Sequence, residues 1–432
     1  GEKSLLQQTL ERLLKIFSPL DILLLTNEQY KFHVLSEVSK VSKDLADNIL
    51  LEPARRNTAP AIAFGMKYCL EKLGTSYEEV LFVCPSDHII KPVEKFVEYI
   101  KLAEKLAKQG YLVAFGIKPL YPETGYGYIK ITGKDLGGYY LVERFTEKPD
   151  FETAQRFLAE GNYFWNSGMF AFTIATMIEE LKLYAPEIYQ LFSQPLEDMI
   201  ATFPKMPDIS IDYAVMEKSK RVVAIPMDIY WSDIGSWDSL YDALDKDEKS
   251  NVIFGNVLAK DMEGCLVIGN KRLIATIDLK DLIIVETDDA ILITKRGSAQ
   301  KVKHIVEELK VKNRVEVIEH RTVYRPWGEC TVLEEGPRYR IKRIVVKPGA
   351  SIDFQIHHHQ NKHWIVVRGS AKVTIGNKIM HIYENESVHI PKSTPHRLEN
   401  PDKIPLEIIE VQTSNYVGED DIIGLDDEYG RI

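Results

Sequence analysis

At about Asn251 the apolar pattern of this 432-residue chain changes its period, and that change bounds the architectures open to it. Before it, segments with apolar residues at helical spacing alternate with short apolar runs. Ser4 to Phe17, Thr58 to Leu73 and Lys95 to Gln109 read as helices. Asp21 to Thr26, Glu79 to Cys84 and Tyr111 to Gly116 read as strands. This alternation predicts an α/β layer with a largely parallel sheet. Ligands of such sheets lie beyond the carboxyl ends of the strands, where the Pro85-Ser-Asp-His88 loop falls. From Asn251 to Ile293 the apolar segments are short and broken by Gly255, Gly264, Gly269 and Asp/Asn pairs. That pattern predicts short strands with tight turns, a β-helix-like coil. Ala299 to Lys312 reads as a helix and connector. From about Arg321 strand-like runs dominate, as in Tyr339 to Val346, Trp364 to Val367 and Ala371 to Ile375, which predicts a barrel or jelly roll. Three modules are therefore expected, at residues 1–248, 249–312 and 313–432.

The composition, 45% hydrophobic and 27% charged, permits a core of ordinary size. A formal net charge of -10 argues against nucleic acid as the main partner. It does not exclude a nucleotide, whose triphosphate needs only a local pocket of cations, backbone amides and Mg2+. None of Cys69, Cys84, Cys265 and Cys330 sits in a C-x-x-C pair, so no zinc or redox motif is visible. Cys69 and Cys84 lie in apolar runs and read as buried small hydrophobes. No apolar run reaches the ~18–20 residues of a membrane helix. No signal peptide is apparent, although the first residue is Gly1 rather than Met. A cytoplasmic location without a membrane partner is expected. So is a homo-oligomer, of an order the sequence does not fix.

Six segments carry chemistry. Asp87 of Pro85-Ser-Asp-His88 either reaches a Mg2+ held by substrate phosphates or caps the next helix. Asp233, in Trp231-Ser-Asp-Ile-Gly-Ser-Trp237, is a second acid able to share that ion, or simply part of a turn. Glu52-Pro-Ala-Arg-Arg-Asn-Thr-Ala-Pro-Ala61 sets arginines at a helix N-terminus, where phosphate is attracted. The plainer reading is a helix capped by Asn57 or Thr58. Glu123-Thr-Gly-Tyr-Gly-Tyr-Ile129 is a loop in which glycine lets backbone approach a ligand. Phe145-Thr-Glu-Lys-Pro149 offers a glutamate for hydroxyls and a lysine for phosphate. Tyr163 to Phe170 offers Asn166 among aromatics.

Taken in order, these six motifs resemble the mannose-1-phosphate guanylyltransferase (GDP-mannose pyrophosphorylase) family, in its long bacterial form with a type II mannose-6-phosphate isomerase domain. The resemblance covers essentially the whole chain. It implies an α/β nucleotidyltransferase domain, Rossmann-like and of GT-A type, followed by the β-helix-like connector and an all-β cupin (jelly-roll) domain. It implies that GTP and mannose 1-phosphate give GDP-mannose and pyrophosphate, for polysaccharide biosynthesis among other routes. Asp87 and Asp233 are then the Mg2+ ligands. Arg56, Asn57 and Thr58 lie near the nucleotide, and Gly125 and Tyr126 approach the sugar nucleotide. Glu147, Lys148 and Asn166 hold mannose and its phosphate. Lys148 counts with the two acids as catalytic. The family's opening strand and glycine-rich loop, of the type G-G-x-G-T-R-L-x-P, have no counterpart here. From that departure, little transferase activity and low stability are expected of this chain alone. A transferase for another sugar 1-phosphate, or an impaired regulatory or scaffold homologue, are the alternatives.

In the last module, Gly349 to His359 and Asn385 to Asn400 resemble the two cupin motifs. Gln355, His357 and His396 fall on three ligand positions for Zn2+ or another divalent metal. The family has a glutamate ligand at the fourth position, where this chain has Lys362. Strand alternation turns His363 to the opposite face. The module is thus either an active isomerase or a degenerate cupin that serves in packing or dimerisation. An acidic turn is expected over Val417 to Ile423.

Overall fold

The computed structural model describes residues 3–312, 314, 317 and 321–414, and the backbone of 422–424. The acidic turn predicted over Val417 to Ile423 therefore falls largely outside the described residues. The chain forms two compact units, Gly1–Leu244 and Asp245–Ile432.

The first unit opens with helix α1 (Leu5–Leu13), started by a capping box between Ser4 and Gln7. A small parallel sheet pairs β1 (Leu24–Asn27) with β2 (Ile49–Glu52), with α2 (Lys31–Ser39) between them in sequence. Helix α3 (Thr58–Glu71) leads to β3 (Val80–Val83) and the short β4 (Ile89–Lys91). Then follow α4 (Val93–Ala107), β5 (Leu112–Ile117), β6 (Tyr128–Thr132) and β7 (Tyr140–Thr146). Helix α5 (Phe151–Glu160) precedes the long β8 (Tyr163–Thr173) and α6 (Ile174–Tyr184), α7 (Pro186–Phe192) and α8 (Leu196–Thr202). β9 (Val222–Met227), β10 (Tyr230–Ser232) and α9 (Trp237–Ala243) complete it.

The main sheet has the order β3-β8-β5-β9-β7-β6, with β6 also reaching β8. Every residue of β5 is buried, because both faces of the sheet are covered. Leu112 and Ala114 join the core beneath α3, α6 and α7, and Val113 and Phe115 join the one beneath α4 and α5. The expectation of a largely parallel sheet needs correction. β3, β5 and β9 do run the same way, but β8 threads antiparallel between β3 and β5, and β7 runs antiparallel to β9. The aromatic run Tyr163 to Phe170 reads locally as either a turn or a core segment, and the fold makes it part of β8, a strand long enough to bridge the sheet.

The second unit starts with stacked parallel rungs. β11 (Val252–Phe254), β13 (Leu266–Ile268) and β15 (Leu282–Glu286) form one parallel face, closed by antiparallel β16 (Ile291–Lys295). β12 (Val257–Glu263) and β14 (Ile274–Lys280) form the other. Met262, Cys265, Val267 and Ile284 fill the space between. Buried Asn251 ties adjacent turns, donating to the Met262 carbonyl at 2.9 Å and accepting from the Cys265 amide at 3.0 Å. Helix α10 (Val302–Val311) follows.

The last module packs two antiparallel sheets into a jelly roll. One holds β17 (Thr322–Arg325), β18 (Gly328–Gly336), β19 (Tyr339–Val346), β26 (Leu406–Thr413), β21 (Asn361–Arg368) and β24 (Ser387–Ile390), in that order. The other holds β23 (Lys378–Ile382), β22 (Ala371–Ile375), β25 (His396–Glu399), β20 (Ser351–His357) and β27 (Ile422–Gly424). Trp364, Val366, Val373, Leu398 and Ile408 lie in the core between them. Among the described residues no helix is long and apolar enough to cross a membrane.

The coil's turns demand glycine at one position above all. Gly255 has φ +84°, and a Cβ there would meet the Gly269 carbonyl oxygen at 2.1 Å. Gly297 has a similar φ, +82°, with open space around it. Gly297→Ala is expected to cost about 1 kcal/mol from backbone strain alone. Gly255→Ala, which adds a backbone clash, should cost about 2 kcal/mol or more. Urea midpoints of the two variants measure the difference.

Candidate functional site

Two of the predicted motifs are brought together by a three-residue antiparallel ladder. β10 pairs with β4, setting Trp231 opposite Ile90 and Ser232 opposite Ile89. One step further along that register, the Asp233 turn faces the Asp87-His88 loop. Buried His88 lies between the acids: its Nε2 is 3.9 Å from Asp87 Oδ1, and both Asp87 and Asp233 act electrostatically on the ring. The Trp231 indole N–H donates to His88 Nδ1 at 3.2 Å, so the neutral ring carries its proton on Nε2, toward Asp87. Burial lowers the His88 pKa, with the two acids opposing. From below, the buried Arg12 of α1 donates to the His88 carbonyl at 3.3 Å.

Asp233 accepts from the Tyr126 hydroxyl at 2.7 Å and from the Gly235 amide at 3.0 Å. Asp87 stays open, its side chain 66% exposed. Two carboxylates of this kind suit a hard divalent cation whose other ligands come from substrate phosphates. Tyr121, Tyr126, Trp165 and Trp231 form an edge-to-face wall beside them, with centroids 4.9–5.3 Å apart along the series.

A second cluster lies on the far side of the Tyr126-Gly127 peptide. The Lys148 amide donates to the Tyr126 carbonyl at 3.2 Å, and the Asn166 amide to the Gly127 carbonyl at 2.7 Å. Asn166 Nδ2 donates to Asp212 at 2.9 Å, and Glu217 accepts from the Glu147 amide at 3.1 Å. Lys148, with φ +47° and an exposed side chain, sits 3.6 Å from Glu147 Oε1. Glu147 Oε2 is buried with no hydrogen-bond partner among the described residues. A Cβ on Gly127 would strike it at 2.4 Å. The cluster offers carboxylate and amide oxygens for hydroxyl groups and one ammonium for phosphate.

Asp212 and Glu217 were missed in the sequence. An acid inside the otherwise uncharged stretch Ile209 to Met216 was the available signal for Asp212. Gly125 stands in the approach loop, its amide donating to Glu123 at 2.8 Å. The Asn166-Ser-Gly168 segment is a bulge: Ala114 pairs with Phe170 but Gly116 with Asn166. Gly168, at φ +70°, sits where an added Cβ would lie 3.5 Å from Pro85 and 3.9 Å from His88, so the bulge runs close to the Asp87 loop.

The Arg56-Asn57-Thr58 motif meets the second cluster from behind. Thr58 Oγ1 accepts from the Ile211 amide at 2.9 Å, next to Asp212. The first amides of α3 are already engaged, that of Thr58 by the Asn57 side chain and that of Ala59 by the Ile209 carbonyl. Pro60 has none to give. The expected phosphate cradle is thus closed at the first amides of this helix, and Arg56 donates to the Pro204 carbonyl.

In the jelly roll, Gln355 and His396 are direct partners across β20 and β25, and the rings of His357 and His396 stack at 5.4 Å. His396 Nδ1 bonds the Thr394 carbonyl at 2.8 Å, and burial, then Lys362, pushes its pKa down to about 4. Lys362 points inward and is 3% exposed, while His363 faces out, as alternation predicts. Among the described residues no group of three or more His, Cys, Asp or Glu side chains is gathered to hold a metal.

Burial, then Asp212, pushes Glu147 up to about 7, with Lys148 opposing. A folded value above the ordinary 4.5 means stability that is full below about pH 4.5 and lost as pH rises through about 7. Glu147→Gln should remove that loss. Above pH 7 the variant is expected to be more stable than the parent by on the order of 3 kcal/mol, with the gap closing at pH 4. Urea denaturation across pH 4–8 reads it.

Three family models match the chain. The Nucleotidyl transferase model covers residues 1–250, the MannoseP isomerase/GMP-like beta-helix domain 255–309, and the Mannose-6-phosphate isomerase C-terminal model 312–427. The mannose-1-phosphate guanylyltransferase of Salmonella montevideo is 44% identical over all of this chain and 93% of its own length. Alginate biosynthesis protein AlgA of Pseudomonas aeruginosa is 43% identical, over all of this chain and 91% of its own. A solved structure from Thermus thermophilus, described as a mannose-1-phosphate geranyltransferase, matches with TM-score 0.61 and 33% identity, over 71% of this chain and 90% of its own. With a nucleotidyltransferase unit, a β-helix-like coil and a cupin-like isomerase module in that order, the chain belongs to the mannose-1-phosphate guanylyltransferase family.

Proposed function

We propose that the first unit joins GTP to mannose 1-phosphate, releasing pyrophosphate and forming GDP-mannose. The observation that carries this reading is the β4–β10 ladder, which sets the Asp87 and Asp233 loops side by side next to the hydroxyl-binding cluster. A phosphate oxygen of the sugar phosphate attacks the α-phosphorus of GTP in line, and pyrophosphate leaves. Asp87 and Asp233 are the proposed holders of Mg2+, whose charge would neutralise the phosphates when bound. Tyr126 fixes Asp233 through its hydroxyl, and His88, oriented by Trp231, backs Asp87. Lys148 places its ammonium at the sugar phosphate. Glu147 and Asn166 take the sugar hydroxyls, and Gly125 and Tyr126 line the approach. Arg56 is the member of its motif proposed to reach the nucleotide, with Asn57 and Thr58 fixing the start of α3. Positioning and charge neutralisation do the work, with no covalent intermediate.

The division into modules at 1–248, 249–312 and 313–432 belongs to the same reading. So do a cytoplasmic location and a homo-oligomeric state. Relatives described as alginate and xanthan biosynthesis proteins support polysaccharide synthesis as the destination of the product.

Calorimetric binding of GDP-mannose tests the proposal. Mg2+ should tighten binding about tenfold or more, and Asp87→Asn or Asp233→Asn should erase that gain. Tighter binding of UDP-glucose, or no binding of either, would overturn it. Gly127→Ala displaces Glu147 Oε2 at the end of a flexible side chain, so its fold should survive. Its GDP-mannose affinity should fall more than about tenfold in the same calorimeter.

A further inference from the structure

The cupin lumen holds a cation of its own. Along β21, Lys362, Trp364 and Val366 alternate inward and are buried. On the neighbouring β26, Glu410 and Gln412 do the same. The Lys362 ammonium lies 3.3 Å from Glu410 Oε2, and the two side chains are only 4% and 3% exposed. That carboxylate is further fixed by the Trp364 indole N–H at 2.7 Å and by Gln412 Nε2 at 2.8 Å. A second ammonium shares the enclosure: Lys342, buried and inward on β19, lies opposite Glu410 in register and acts electrostatically on both Lys362 and Glu410. Charges so enclosed persist only because the carboxylate offsets the ammonium groups. Lys362 cannot swing out to solvent without abandoning a buried carboxylate.

The histidines lie against this pair. His396 packs edge-on against Trp364 at 5.6 Å, the tryptophan that also binds Glu410, and stacks on His357. With Nδ1 given to Thr394, its buried Nε2 keeps a bare lone pair. Gln355, His357 and His396 thus present the donor types of a cupin metal site. The group beside them is an ammonium, where the family resemblance calls for a glutamate. The residues present do not fit a divalent metal. A divalent ion would add its charge to the buried ammonium groups of Lys362 and Lys342, and repulsion away from solvent is weakly screened.

We propose that the ammonium of Lys362 takes the place of a divalent metal in this barrel, so that the cupin module is metal-free. Metal-dependent sugar-phosphate isomerisation is then not an activity of this chain. The proposal concerns the second unit alone and stands or falls apart from the transferase reading.

The test compares tightly bound Co2+ in the full chain and its variants, after equilibration and desalting, by elemental analysis and by the visible absorption of the ion. The first unit contributes equally to all of them, so differences report the barrel. The unmodified chain and His396→Ala should retain equal metal. Lys362→Glu should gain about one equivalent with a new visible band, and Lys362→Glu/His396→Ala should lose it again. One equivalent in the unmodified chain that disappears in His396→Ala would overturn the proposal. So would a Lys362→Glu chain that keeps its circular dichroism yet gains no metal. Should Lys362→Glu not fold, the comparison of the unmodified chain with His396→Ala still decides.

Discussion

The geometry of the first unit depends on the short pairing of β4 with β10. The two strands are far apart in sequence, and three residues of each are enough to lock two acidic loops in register. Side chains reinforce the join on both faces. The indole of Trp231 bonds His88, and Arg12 reaches from α1 to the carbonyl of the same histidine. Without the ladder, Asp87 and Asp233 would be two acids on two independent loops. With it, their approach is set by backbone hydrogen bonds that no ligand has to create.

The bulge in β8 does a second part of the positioning. Two extra residues between Asn166 and Phe170 turn the strand so that Trp165 joins the aromatic wall while Asn166 reaches Asp212. A regular strand through the same span would leave no slack for the turn of the backbone at Gly168. Glycine is needed here because the backbone enters the left-handed region at φ +70°.

Much of this was legible in the sequence. Helix α1, the run at β5, the strands β19 and β22 and the switch to a rung-like pattern at Asn251 all follow from local periodicity. The motif residues were legible too, because acids, glycines and aromatics in tight segments have few other uses. What escaped is non-local. The antiparallel passage of β8 depends on pairing with strands far away in sequence. Asp212 and Glu217 became visible only when the segment after α8 folded back onto α3 and Asn166. The closed N-terminus of α3 escaped for the same reason, since the Ile209 carbonyl that occupies it is far away in sequence. Lys362, by contrast, announced itself as a departure from a pattern, and the burial of Glu410 supplied the partner that periodicity could not name.

The Tyr126-Gly127 peptide has a thermodynamic consequence. Its tyrosine holds Asp233, and its glycine leaves room for Glu147, so one planar unit borders both clusters. A tilt of that plane displaces a carboxylate on either side at once. Free energies of substitutions on its two sides are therefore not expected to add.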